Sequence, residues 1–364
     1  MNPARVAALR LGMGEAMTAF TVQINCGSGM QSIDTGYRYI REGVSDLVLA
    51  GGTESLSNAP LIFSRSMVNW YARLNGARDT WSKLVALLGF RLSFLKPVIG
   101  LERGLTDPIT DLNMGQTAEL VGHLFDISRR QADEYAVESQ LRLTQAQQHG
   151  WFNGEIEPAF DRDGTLYDHD DGVRPDSSVD SLAKLKPAFE RPWGKVTPGN
   201  SSQITDGASW VILASEDAIK KHGLQPKAVI VDSEWSALDP SIMGLGPVLC
   251  STALMKRHQL SLDDVQLWEL NEAFAAQVLG CLAAWEDDKF CRDVLNLPAA
   301  PGRIPRDRLN IDGGAIGLGH PVGASGNRIV LHLVNAMRRL GLKRGIATEC
   351  IGGGQGGAML IETV

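Results

Sequence analysis

A glycine-punctuated plan recurs near both ends of the chain, and it restricts the fold more than any other feature. Near the front, Thr18 to Asn25 is β-compatible, with Phe20, Val22 and Ile24 in alternation. A Cys26-Gly-Ser-Gly29 turn follows, then a helical pattern from Met30 to about Gly43, then the apolar run Asp46 to Ala50 ending at Gly51-Gly52. Near the back, Leu309-Asn-Ile-Asp312 leads into the long glycine turn 313–326. A helix pattern follows over Asn327–Leu340, then strands over Gly345–Cys350 and Ala358–Glu362. Strand, tight turn, helix and buried strand read as a βαβ unit, which predicts a parallel sheet in an α/β fold. Two such units in 364 residues suggest an internal duplication.

The stretch between them has a different composition. Residues 61–105 hold Arg65, Arg73, Arg78, Lys83, Arg91, Lys96 and Arg103 against Asp79 and Glu102, a local +5 in a chain of net charge −7, so the rest carries −12. The same segment is dense in Trp, Tyr, Phe and Leu at partly helical spacing. It reads either as an amphipathic surface for an anionic membrane or partner, or as a helical cover for the core. Residues 114–150 read as helical with Ser128 as a cap, and 161–180 as an acidic loop. The mildly acidic balance argues against a dedicated nucleic-acid binder. Five cysteines do not form an even disulfide framework and point to a reducing compartment. The N-terminus shows no secretory signal and no apolar run reaches 18 residues, because Arg91, Lys96 and Pro97 interrupt Leu84–Val98; a cytoplasmic location is expected.

Four pieces can carry chemistry. Cys26 sits where an apolar run meets glycines at a helix start. There the helix dipole favours thiolate, and bare backbone N–H groups suit an oxyanion; a buried structural thiol is the alternative. His320, within Gly317-Leu-Gly319-His320-Pro321, has too many glycines around it for a core histidine and can activate a thiol. Cys350 ends a strand at a glycine run, where parallel sheets place their sites. Asn271 follows the apolar stretch Val265 to Leu270, either as a helix N-cap or holding a water or an oxyanion. Cys250, Cys281 and Cys291 lack such surroundings and read as structural. The glycine spacing 317/319/323 does not fit a dinucleotide fingerprint. Asp161-Arg-Asp163-Gly164 lacks the remaining calcium ligands, and neither HExxH nor paired CxxC is present, so no metal is expected.

In this order the pieces resemble the thiolase family of acetyl-CoA acyltransferases. The matching motifs are Asn25-Cys-Gly-Ser-Gly29, Asn271-Glu-Ala-Phe274, Gly319-His-Pro321 with Gly323-Ala-Ser-Gly326, and Cys350-Ile-Gly-Gly-Gly354. Met114-Gly-Gln-Thr-Ala-Glu119 and Thr197-Pro-Gly-Asn200 with Asp206-Gly-Ala208 support them. The resemblance spans essentially the whole chain and implies duplicated βαβ halves in a layered α-β-α-β-α architecture with an inserted loop domain. On that pattern residues 1–55 plus 205–226 form the N-terminal half, 56–204 the loop domain and 227–364 the C-terminal half. The resemblance also implies Cys26 as the acylated nucleophile, His320 as its base and Cys350 as the second acid/base. One oxyanion site would use His320 with a water held by Asn271, the other the N–H groups of Cys26 and Gly352. Met114, Ser202 and Phe274 match positions lining the CoA or acyl pocket. Coenzyme A is implied as substrate, with no separate cofactor. A homodimer or homotetramer is implied as well, and segment 61–105 looks most like β-subunits of β-oxidation complexes. Relatives carry about 60 residues, two βα units, ahead of the stretch that matches Asn2, so the N-terminal half is expected to be incomplete. Some relatives also have His where Asn113 stands. Two other readings stand beside the thiolase: a non-catalytic partner subunit, and a ketoacyl synthase, which Cys350 in its Cys-Ile-Gly-Gly-Gly setting disfavours.

Overall fold

The computed structural model describes residues 2–364. Two sheets enclose a pair of helices. The first sheet pairs Leu47–Ser55 with Asp206–Ala214 antiparallel, Leu47 opposite Ala214 and Ser55 opposite Asp206. The second has the order Ala228–Ala237, Gln355–Thr363, Arg344–Ile351, Leu267–Leu270. Its first three strands run antiparallel and its last pair runs parallel.

The helices Ser28–Arg41 and Val322–Leu340 lie against each other between these sheets. Each has one apolar stripe at helical spacing: Met30 and Ile33 on the first, Ile329, Val330, Leu333, Ala336 and Met337 on the second. Arg38 and Arg41 in one last turn and Arg338 and Arg339 in the other suit the negative helix end. The second helix stops at Gly341, whose φ of +67° closes a left-handed cap with Leu342 N–H donating to the Met337 carbonyl at 2.8 Å. Helix Gly246–Arg257 covers the far face of the second sheet, flanked by Ala275–Glu286 and Met114–Leu124. Strand Arg344–Ile351 is therefore covered on both faces, and every residue from Gly345 to Ile351 is buried. Together these layers form a thiolase-like α/β architecture. The outward face of the first sheet is open, with Leu47, Leu49, Trp210 and Ile212 exposed.

Several expectations are corrected. Thr18–Asn25 forms no strand: apart from one bridge of Ile24 to Cys26 it is unpaired, so the front unit is not a βαβ with a parallel sheet, and Leu47–Ser55 pairs antiparallel instead. Alternation alone does not make a strand without a neighbouring edge to bond to. Leu309–Asp312 likewise contributes one bridge, Leu309 to Trp268. The helical stretch 114–150 is two helices, Met114–Leu124 and Arg129–Gln148, divided where Ser128 caps the second through a reciprocal pair with Gln131. The reading of 61–105 as a cover for the core also fails. Helices Arg65–Gly76 and Thr80–Leu88 pack on each other, Trp70 Nε1 donates to the Ala86 carbonyl at 2.8 Å, and Met67 alone in the segment is buried.

Candidate active site

The site forms where three glycine-rich loops and the Asn271 loop meet at one end of the second sheet. Cys26 precedes the helix Ser28–Arg41, whose first residue ties the turn down: Ser28 Oγ donates to the Asn25 carbonyl at 2.7 Å and accepts from Ile24 N–H at 3.0 Å. Cys26 is partly exposed, whereas Cys250, Cys281, Cys291 and Cys350 are buried. Burial pushes the Cys26 thiol up to about 11, against the backbone N–H groups of Gly352 and Cys26 itself, which favour the anion. The expectation that the helix start would favour thiolate is thus overturned. Loss of water outweighs two N–H donors, and nearby Glu349 and Glu54 add to the rise.

His320 lies at the turn into helix Val322–Leu340. Gly319 before it has φ of +81°, and a Cβ there would collide with the Thr205 side chain, so glycine is required. His320 Nδ1 meets Ser325 Oγ at 2.6 Å, and Ser325 Oγ donates to the Pro321 carbonyl at 3.1 Å. The serine's one hydrogen is spent on the carbonyl, so Nδ1–H is the donor to Ser325 and Nε2 keeps its lone pair. Nε2 is buried with no partner among the described residues. Burial, then the Arg328 guanidinium, lowers the imidazole to about 3, so it is neutral at physiological pH. Arg328 also donates to the Gly319 carbonyl at 3.0 Å, fixing the turn that carries the histidine.

Asn271 is not a helix N-cap. Its N–H donates to the Thr348 carbonyl at 2.9 Å, and the following helix begins only at Ala275. Its amide instead points toward His320, Nδ2 lying 3.5 Å from Nδ1, with Oδ1 buried and unpartnered among the described residues. The adjoining Glu272 anchors this loop by accepting from Tyr135 and Ser139, both at 2.7 Å, and from Asn310 at 3.0 Å.

Cys350 packs with Met243 and Ala273, and Met114 and Phe274 close the same cluster. Its thiol is pushed well up, first by burial and then by the neighbouring Cys26. Ser202 N–H donates to the Ala273 carbonyl at 3.0 Å, which brings all three expected pocket residues to this wall. Met114 Sδ lies 3.4 Å from where a Gly352 side chain would begin, and Asn113 caps the helix behind it. Cys250, Cys281 and Cys291 sit elsewhere, the first two in the main core. Sequence reasoning quoted Ser325 and Asn25 inside motifs but gave them no role, and it passed over Arg328 and Met243. Ser325 stands in the first turn of the helix that follows the histidine, a place that could have flagged it.

Residues 1–217 match the family model of the thiolase N-terminal domain and 224–363 that of the thiolase C-terminal domain. A probable acetyl-CoA acyltransferase of Staphylococcus epidermidis is 37% identical over 365 residues, covering 99% of this chain and 83% of its own. The mitochondrial trifunctional enzyme subunit beta of Bos taurus is 36% identical over 362 residues, covering 99% and 75%. The crystal structure of Bacillus anthracis acetyl-CoA acetyltransferase superposes with a TM-score of 0.84 at 35% identity, over 100% of this chain and 83% of that one. Human mitochondrial 3-ketoacyl-CoA thiolase in complex with CoA gives 0.82 at 38%, over 99% and 82%.

Proposed function

This chain belongs to the thiolase family and is an acyltransferase acting on CoA thioesters, and from that premise we propose that it cleaves 3-ketoacyl-CoA with CoA, or runs the reverse condensation, through an acyl-Cys26 thioester. The observation that carries this reading is the bare Nε2 of a neutral His320 in the same site as a protonated Cys26. The thiol gives its proton to Nε2 as Sγ bonds to the keto carbon. The resulting oxyanion, on the carbon now bonded to Sγ, is held by the N–H groups of Cys26 and Gly352, and the CoA-thioester oxygen that takes up the enolate charge by His320 with a water on Asn271. Breaking the carbon–carbon bond leaves the enolate of acetyl-CoA, which takes the Cys350 proton. In the second half the Cys350 thiolate takes the proton of incoming CoA, whose sulfur attacks acyl-Cys26. His320 then returns its proton to Cys26 as it leaves.

Met114, Ser202 and Phe274 line the acyl side of this pocket, and the chemistry uses CoA as substrate with no other cofactor. A thiolysis assay on acetoacetyl-CoA and on a long-chain 3-ketoacyl-CoA tests the reading; no CoA-dependent cleavage of either would overturn it.

The division into an N-terminal half (1–55 plus 205–226), a loop domain (56–204) and a C-terminal half (227–364) belongs to the same proposal, as do a homodimer or homotetramer and a cytoplasmic location. Among the described residues no helix is long and apolar enough to cross a membrane. The loop domain nonetheless offers an interfacial surface. Trp81, Leu88 and Leu92 are 72%, 78% and 80% exposed, and all seven cations of 61–105 are exposed beside them. Exposed apolar groups ringed by lysine and arginine fit an anionic bilayer, or a β-oxidation partner on it. Sedimentation with phosphatidylglycerol vesicles at low salt, lost at high salt and absent with phosphatidylcholine alone, is the expected result. Equal or no binding to both would exclude the membrane.

A further inference from the structure

The loop Gly352-Gly-Gly354 has no side chains to hold its shape. Gly353 and Gly354 take φ of +92° and +79°, the left-handed region where the backbone is otherwise easily re-set in glycine. Yet the Gly352 N–H is near enough to the Cys26 sulfur to favour its anion. A donor there acts on a developing oxyanion only while it stays within a few tenths of an ångström of its place. Something outside the loop must therefore hold it.

Two hydrogen bonds do. Leu238 N–H donates to the Gly354 carbonyl at 2.8 Å. At the other end Asn25 Nδ2 donates to the Gly352 carbonyl at 2.7 Å, joining residues 327 positions apart. Asn25 immediately precedes Cys26 and has φ of +48°, a conformation Asn tolerates better than most residues with side chains. The Gly352 carbonyl can only accept, so the nitrogen end of Asn25 faces it, and Gln23 Nε2 donates to the free Asn25 Oδ1 at 2.9 Å. Asn25 Nδ2 also lies 3.7 Å from the position a Gly352 Cβ would occupy, with Met114 Sδ on the other side at 3.4 Å.

We infer that Asn25 is a positioning residue, whose amide clamps the glycine loop of the C-terminal half onto the nucleophile loop and so aims the Gly352 N–H. The Gly352 carbonyl and the Gly352 N–H belong to successive peptides hinged at one Cα. The strand ending at Ile351 carries the peptide of the N–H, and the clamp limits the rotations at Gly352 by which the rest of the loop could pull that peptide off the sulfur. The clamp acts on the oxyanion step and not on the thiol itself. This inference rests on the acyl-Cys26 reading.

Two variants test it. Asn25→Gly keeps the positive φ and removes the clamp, and Asn25→Asp keeps the shape but sets a carboxylate against the Gly352 carbonyl. In both, kcat for acetoacetyl-CoA thiolysis is expected to fall about 10- to 100-fold, Asp the lower, since a misplaced oxyanion donor costs up to about 100- to 1,000-fold when lost outright. KM should stay within about threefold in both, and so should the rate of Cys26 alkylation by iodoacetamide in Asn25→Gly; the added carboxylate of Asn25→Asp raises the thiol further and slows its alkylation. A kcat within twofold of the parent in both variants would overturn the inference, and so would alkylation falling in step with kcat in Asn25→Gly. If Cys26→Ala remains active, the acyl-enzyme reading fails; if Cys26→Ala is dead and both Asn25 variants are normal, only the clamp fails.

Discussion

Alanine in place of Cys26 is expected to lower thiolysis of acetoacetyl-CoA by about 10,000-fold or more and to abolish covalent labelling of the protein by acetyl-CoA. Losing the nucleophile removes the covalent route itself, and nearby groups do not substitute for it. Label recovered on Cys250 or on Cys350 in the unmodified protein would sink the assignment. The electrostatics of the site add a pH signature. With the thiol pushed up to about 11, Cys26 is protonated across the physiological range, and the anion fraction rises about tenfold per pH unit below that value. Alkylation of Cys26 by iodoacetamide should therefore climb steadily from pH 7 to pH 10. A plateau near pH 7 would mean a thiolate–imidazolium pair. The structure opposes such a pair, because His320 Nδ1 faces a serine hydroxyl and no carboxylate. With the imidazole lowered to about 3, the base stays neutral and available at every pH above that, so His320 imposes no acid limb near pH 6.

Alanine in place of Cys350 separates the two halves of the reaction. Carbon–carbon cleavage and condensation should both fall about 1,000-fold or more, since each needs a proton delivered to or taken from the α-carbon while the neighbouring Cys26 sulfur is held in the thioester. Acetylation of Cys26 by acetyl-CoA should slow but still go to completion, because CoA can leave as a thiolate without the Cys350 proton, whereas the α-carbon has no such alternative. A mass shift of one acetyl group on the Cys350→Ala protein, with condensation lost, is the expected outcome. Turnover within tenfold of the parent would remove Cys350 from the mechanism. Cys350 is fully buried among Met243, Ala273 and Phe274, and removing one sulfur there costs about 1 kcal/mol, so the variant should fold.

Much of the site was legible along the chain because its residues stand in local settings that have one strong chemical meaning. A cysteine at a glycine turn before a helix, a histidine among glycines and a cysteine at a strand end stand out by spacing, and their order resembles one family's. The helix and strand around Cys350 were legible for the same reason, their apolar periods being long and ending at glycine. The front of the chain misled, because Phe20, Val22 and Ile24 alternate like a strand while no edge lies beside them to complete a ladder. The role of 61–105 was undecidable from composition, since an amphipathic segment buries or displays its apolar side according to what packs on it. Here nothing among the described residues covers Trp81 or Leu88.

The sequence by itself determined the kinds of reactive group, their order and the glycines that leave room around them. The tertiary structure decided their ionisation and aim. A helix start favours thiolate, but only three dimensions reveal how much water Cys26 loses, and that loss sets its proton affinity. Ser325 sets which nitrogen of His320 keeps its lone pair, and Asn25 bonds a loop 327 residues away. Both act through hydrogen bonds a few ångströms long. Direction and desolvation are properties of space, and neither is written in the spacing of letters.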